Sequence, residues 1–86
     1  MDRTLKEKKG IAAGLEATVR MGKAGLTRAL VEEIKGQIKK KGMVKVKLLG
    51  SSREETRQIA GELAERCGAE LVDVRGNTVS LWKKGV

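Results

Sequence analysis

Apolar residues recur along this chain in two rhythms, one of period two and one of period three to four. Residues 43–48 alternate cleanly: Val44, Val46 and Leu48 fall on one side, Lys45 and Lys47 on the other. That is the pattern of a strand with one buried face. Residues 17–21 repeat it more briefly, with Ala17, Val19 and Met21 on one side and Gly22 as the stop. Leu26, Leu30, Ile34 and Ile38, with Val31 beside them, instead keep the spacing of a helix stripe. Thr27 is its candidate N-cap and Gly42 its C-terminal stop. Lys39, Lys40 and Lys41 suit the negative end of the helix dipole. Ser51 and Ser52 each stand three residues before a glutamate, the spacing of a capping box, so a further helix starts there. Its stripe is Ile59, Leu63 and Cys67, flanked by Ala60 and Ala64, and Gly68 ends it. Residues 71–75 and 78–83, joined by Gly76-Asn77, read as a hairpin with a two-residue turn. A first helix is expected over 5–15, with Leu5, Ala12 and Leu15 on one face and Ile11 beside them. Gly10 and Gly14 weaken it by about 1 kcal/mol each relative to alanine.

The element order is therefore αβαβαββ. Such alternation implies an α/β fold, a single domain over residues 1–86 with right-handed crossovers and a four-stranded mixed sheet. The two later helices are expected on one sheet face.

Composition narrows the chemistry. The 86 residues suit one small domain, and the absence of Phe, Tyr, His and Pro leaves Leu, Ile, Val, Ala and Met to build its core. With a single cysteine, Cys67, there is no intrachain disulfide, and without histidine no Cys/His metal site. Cys67 falls on a helix stripe, where an inert buried thiol is expected. No metal or cofactor is expected. Nor is an enzyme or a small-molecule substrate, since no nucleophile–base pair is visible and the acids read as caps or surface charges. The N-terminus has no apolar run of a signal peptide, and no stretch has the length of a membrane span, so a cytoplasmic protein is expected.

The net charge is +8. Residues 1–50 carry 13 Lys/Arg against 5 Asp/Glu, whereas residues 51–86 carry 6 of each. An excess confined to one part of the chain suits a polyanionic partner better than general solubility. The first helix has too little apolar surface for a membrane-surface module. A basic protein-interaction module is the remaining rival to nucleic-acid binding.

The most informative segment is Gly22-Lys23-Ala24-Gly25, where a strand feeds the start of a helix. Its glycines permit positive φ and close backbone approach. The first helical turn leaves amide hydrogens unpaired, a place that phosphate favours. Arg20, Lys23 and Arg28 surround it with charge. The spacing fits neither the phosphate-binding loop of nucleotide hydrolases nor the three-glycine dinucleotide fingerprint. Lys45 and Lys47 add charge on the outward sheet face, and Lys6, Lys8 and Lys9 extend a basic patch if the first helix lies near the loop. Trp82 is the one side chain able to stack strongly on a base. On the non-core side of its hairpin, packing beneath the first helix is its more frequent fate.

Gly22-Lys23-Ala24-Gly25-Leu26-Thr27 resembles the GxxG-Leu-Thr loop of the CRM domain family, whose stand-alone members are the YhbY-like proteins. The resemblance continues through Val44-Lys45-Val46-Lys47 and Ser52-Arg53-Glu54-Glu55-Thr56. It ends with Gly68-Ala69-Glu70-Leu71-Val72 and Gly76-Asn77-Thr78-Val79-Ser80-Leu81-Trp82. Ala17 and Trp82 depart from it, standing where members often have Pro and Tyr. The resemblance implies a fold similar to the C-terminal domain of translation initiation factor 3. It implies RNA as partner, with ribosomal RNA of large-subunit precursors foremost and a general or splicing-related RNA chaperone as the alternative. The RNA-binding residues it implies, together with the charge pattern, are Arg20, Gly22, Lys23, Ala24, Gly25, Thr27, Arg28, Lys45, Lys47, Lys6 and Lys9, acting in a monomer.

Overall fold

Two helix N-caps and one alternating strand account for most of the architecture. The structure, a computed structural model, describes residues 4–22 and 25–84. Helix α2 (Arg28–Lys41) starts where Thr27 Oγ1 accepts the Leu30 amide at 3.1 Å. It stops at Gly42, which takes φ 84° and donates its amide to the Ile38 carbonyl at 2.8 Å. Helix α3 (Arg53–Cys67) uses the second of the two Ser-x-x-Glu spacings. Ser52 and Glu55 each accept the other's amide, satisfying two otherwise unpaired donors. The buried stripe of α3 runs through Thr56, Ala60, Leu63 and Ala64, with Ile59 and Cys67 half-buried at its margin. The pattern in the sequence had put those two at its centre. Thr56 is tolerated there because its hydroxyl donates to the Ser52 carbonyl at 2.8 Å.

Strands β1 (Val19–Met21), β2 (Met43–Leu48), β3 (Ala69–Arg75) and β4 (Thr78–Lys83) form one mixed sheet in the order β1-β2-β4-β3. β1 runs parallel to β2, and β4 is antiparallel to both β2 and β3. α2 and α3 cover one face, over a core that includes Ile34, Leu63, Val44, Val46, Leu48, Val79 and Leu81. This is the α/β fold and mixed sheet that the alternation implied. β3 begins two residues earlier than expected and carries a register shift between Leu71 and Asp73. The shift buries Val72 and leaves Leu71 37% exposed, so the simple alternation fails there.

The opposite face is covered by α1 (Leu5–Ala13), which ends two residues short of its apolar pattern at Gly14. Thr4 and Glu7 form a reciprocal capping box at its start. Its buried positions are Lys8 and Ala12, while Leu5 and Leu15 are 50% and 43% exposed. The expected stripe of Leu5, Ala12 and Leu15 is therefore corrected. The buried stripe runs through a lysine because its chain lies over Trp82, the ammonium 5.9 Å from the ring centroid, and donates to Glu70 Oε1 at 2.6 Å. Trp82 is buried beneath this helix.

Candidate nucleic-acid interface

Parallel pairing of β1 and β2 brings their C-terminal ends, and hence the starts of α2 and α3, to the same end of the sheet. The Leu49 amide donates to the Met21 carbonyl at 3.0 Å, tying the ends of β1 and β2 together. The Leu48 amide donates to the Asn77 carbonyl at 2.7 Å, which brings the β3–β4 hairpin tip to that end as well.

Lys23 and Ala24 lie outside the described residues. Of the loop's flanks, Gly22 is exposed and Gly25 takes φ 71°, a left-handed conformation that favours glycine. The Gly25 amide donates to the Gly22 carbonyl at 3.1 Å. That amide is therefore already paired within the loop. The donors that the helix start leaves for an anion are the amides of Thr27, Arg28 and Ala29, since the Leu30 amide is taken by Thr27. Arg28, the first residue of α2, is exposed beside them.

Arg20 stands on the sheet face away from α2 and α3 and is exposed. In the register of the sheet it neighbours Lys47, and Lys47 in turn neighbours Thr78. An open groove of about 440 Å³ runs there, lined by Glu16, Arg20, Lys45, Lys47, Asn77 and Thr78. Among the described residues, neither Arg20 nor Lys47 takes part in an ion pair. Like charges set directly opposite on neighbouring strands repel, a cost that an anion in the groove removes.

Lys45 has a different position from its neighbour two residues on. Its ammonium donates to the carbonyls of Ala12 and Leu15 at 2.9 and 2.8 Å, closing the C-terminal end of α1 against the sheet. It contributes charge to the groove wall while its donors serve the fold. Lys6 and Lys9 are exposed on α1 but are not brought into the groove. The first turns of α1 lie over Glu70 and Trp82, and Trp82 pairs with Met43 at the far end of β2 from the loop. Asn77 and Thr78 line the groove without having been singled out in the sequence. Only the insertion of β4 beside β2 puts them there, and no local pattern reports a strand order.

Away from this end, Cys67 is half-buried, its thiol 4.0 Å from the Val31 carbonyl. Burial pushes its pKa up; Lys35 pulls it back in part and Glu32 adds to the rise. No group of acids and cysteine among the described residues could hold a metal ion, and no helix among them is long and apolar enough to cross a membrane.

The family model of the CRS1/YhbY (CRM) domain matches residues 2–83. A Methanocaldococcus jannaschii protein named as a probable RNA-binding protein is 36% identical over an alignment covering 98% of this chain. The chain spans 66% of that relative's length. A Haemophilus influenzae protein named as an RNA-binding protein is 29% identical, with 87% of this chain and 76% of the relative covered. The solution structure of a Staphylococcus aureus protein superposes with a TM-score of 0.82 at 22% identity, covering 96% of this chain and 90% of the other. That likeness shows the fold.

Proposed function

Since the chain belongs to the CRS1/YhbY (CRM) domain family, we propose that it is a non-enzymatic RNA-binding protein that grips the RNA backbone at the loop end of its sheet. The observation that carries the reading is the pairing of Arg20 with Lys47 as unneutralised neighbours on a groove wall. In this reading a phosphate sits between them. A second is received at the start of α2 by the amides of Thr27, Arg28 and Ala29 and the Arg28 charge, with Gly22, Lys23, Ala24 and Gly25 keeping the approach open. Lys45 acts from the groove wall, and Lys6 and Lys9 contribute at most a diffuse field. The names of the relatives support RNA as the class of partner. Ribosomal RNA of large-subunit precursors is the partner we favour, met by a monomer in the cytoplasm.

The test is RNA affinity at fixed salt for Arg20→Gln with Lys47→Gln, alongside thermal melting. Loss of two phosphate contacts weakens binding at least tenfold and flattens the salt dependence of log K by about 1.4 to 1.8, with melting unchanged. Affinity and slope equal to the parent's refute the groove. Lys23→Asp with Ala24→Asp tests the loop in the same assay. Co-sedimentation with large-subunit precursors in a low-salt gradient tests the ribosomal partner separately.

A further inference from the structure

The second half of the chain carries no net charge, yet it contains two arginines whose placement works against their own helix. Arg53 is the first residue of α3, where the positive end of the helix dipole disfavours a cation. Arg57 lies one turn on, and like charges four residues apart on a helix repel. Both are exposed, and among the described residues neither forms an ion pair. The contrast with their neighbours is informative. Arg66 on the same helix reaches Glu62 at 3.6 Å, and Arg75 on the hairpin reaches Asp73 at 3.0 Å. Local choices that disagree with the fold mark positions kept for another reason.

Arg53 and Arg57 line an open cleft of about 220 Å³ whose other wall is Val74 and Gly76. Val74 packs with the core, so this cleft is on the sheet side that carries α2 and α3. The groove of Arg20 and Lys47 opens on the other side, and Asn77 is part of its wall. Gly76 and Asn77 are consecutive residues of one hairpin tip. The tip is therefore a ridge with a basic site on each flank. Gly76 takes φ 55° and a Cβ there would meet nothing within 4 Å, so the ridge is open to an approaching strand at Gly76.

We propose that Arg53 and Arg57 form a second phosphate site for the same RNA, whose backbone crosses the end of the sheet over the Gly76-Asn77 ridge from the Arg20–Lys47 groove. This rests on the RNA-binding reading above. Shape makes the ridge a bend in the bound strand, so the ligand is a single-stranded or bulged segment rather than a straight duplex.

The test uses the full chain and a labelled mixed-sequence single-stranded RNA long enough to span both sites. Arg53→Glu with Arg57→Glu weakens binding at least tenfold and lowers the salt slope by about 1.4. Melting stays the same or rises, since a glutamate in the first turn of α3 suits the dipole. Lys39→Glu with Lys40→Glu makes the same change in net charge at the far end of α2 and leaves affinity within about threefold. Equal loss in both double variants overturns the proposal, because only total charge then matters. Parental affinity in the Arg53/Arg57 variant, with loss in Arg20→Gln/Lys47→Gln, also overturns it while leaving the RNA reading intact. Retained RNA affinity with loss of an acidic protein partner assigns the cleft to that partner instead. A parent chain that fails to bind RNA at any salt removes the reading on which both rest.

Discussion

The two faces of the sheet are built on different principles. The face under α2 and α3 is dry and aliphatic: Val44, Val46, Leu48, Val79 and Leu81 meet Ile34 and Leu63, all fully or nearly fully buried. The face under α1 is held by polar groups. Lys8 reaches Glu70, Lys45 reaches two carbonyls of α1, and Ser80 is 4% exposed. Trp82 Nε1 has no hydrogen-bond partner among the described residues. The first arrangement gains from area removed from water and is indifferent to direction. The second depends on individual donors finding individual acceptors. One face therefore supplies stability, and the other places a helix and leaves cations at its edge.

The comparison can be broken most forcefully in the dry core. Leu63→Ala removes a side chain with no exposure and costs about 3 kcal/mol in urea unfolding, a large share of the stability of so small a domain. A cost below about 1 kcal/mol would mean that α3 is not packed as described. On the polar face, Lys45→Met keeps the chain but deletes both donors to α1, at about 2 kcal/mol. Hydrogen exchange should speed up in α1 and remain slow in α2. Lys47→Met, two residues along, should leave stability nearly untouched and reduce RNA binding. Identical behaviour of the two lysines would erase the distinction between them. Smaller still is Trp82→Phe, within about 1 kcal/mol of the parent, because the lost volume is offset by removal of an unpartnered buried N–H.

The smallest effect concerns the margin of the dry face. Burial raises the Cys67 pKa, so its thiolate forms later than that of an ordinary cysteine. Alkylation at neutral pH should be slow, and its rate should still be climbing above the usual thiol pKa. The folded state holds the proton more tightly than the unfolded one. The matching contribution to stability is present below the ordinary thiol pKa and fades as pH rises through the raised one. Alkylation at the rate of a free cysteine would place Cys67 in open solvent.

The same division explains what could be read from the sequence. β2 and α2 announced themselves because their periodicity reports burial against a dry surface, and Thr27, Gly42 and Gly68 sit at the caps they predict. α1 was misread at its face and its end because its buried stripe includes Lys8, which no apolar pattern reveals. The start of β3 was missed because a register shift interrupts the alternation at Leu71 and Val72. Within the candidate site, Arg20 and Lys47 were legible as outward charges on neighbouring elements. The separation of Lys45 from Lys47 was not, because both alternate outward and only the docking of α1 divides their work. Lys6 and Lys9 depended on where α1 lay, which spacing along a chain does not encode. Arg53 and Arg57 were hidden by the neutral sum of their half of the chain.

The strand order has a consequence for when this surface comes into being. β4 is the last strand in sequence, yet it lies between β2 and β3, which meet no other partner on that side until it arrives. As the polypeptide emerges from a ribosome, β1, α2, β2 and α3 can assemble in turn, but the middle of the sheet stays open. Asn77 and Thr78 then join Lys47 in a single closing event, when β4 pairs with β2 across separations running from Lys47–Thr78 to Met43–Trp82. The groove wall is thus completed abruptly, once β4 pairs, and a nascent chain stalled before β4 holds the cations of the groove without it.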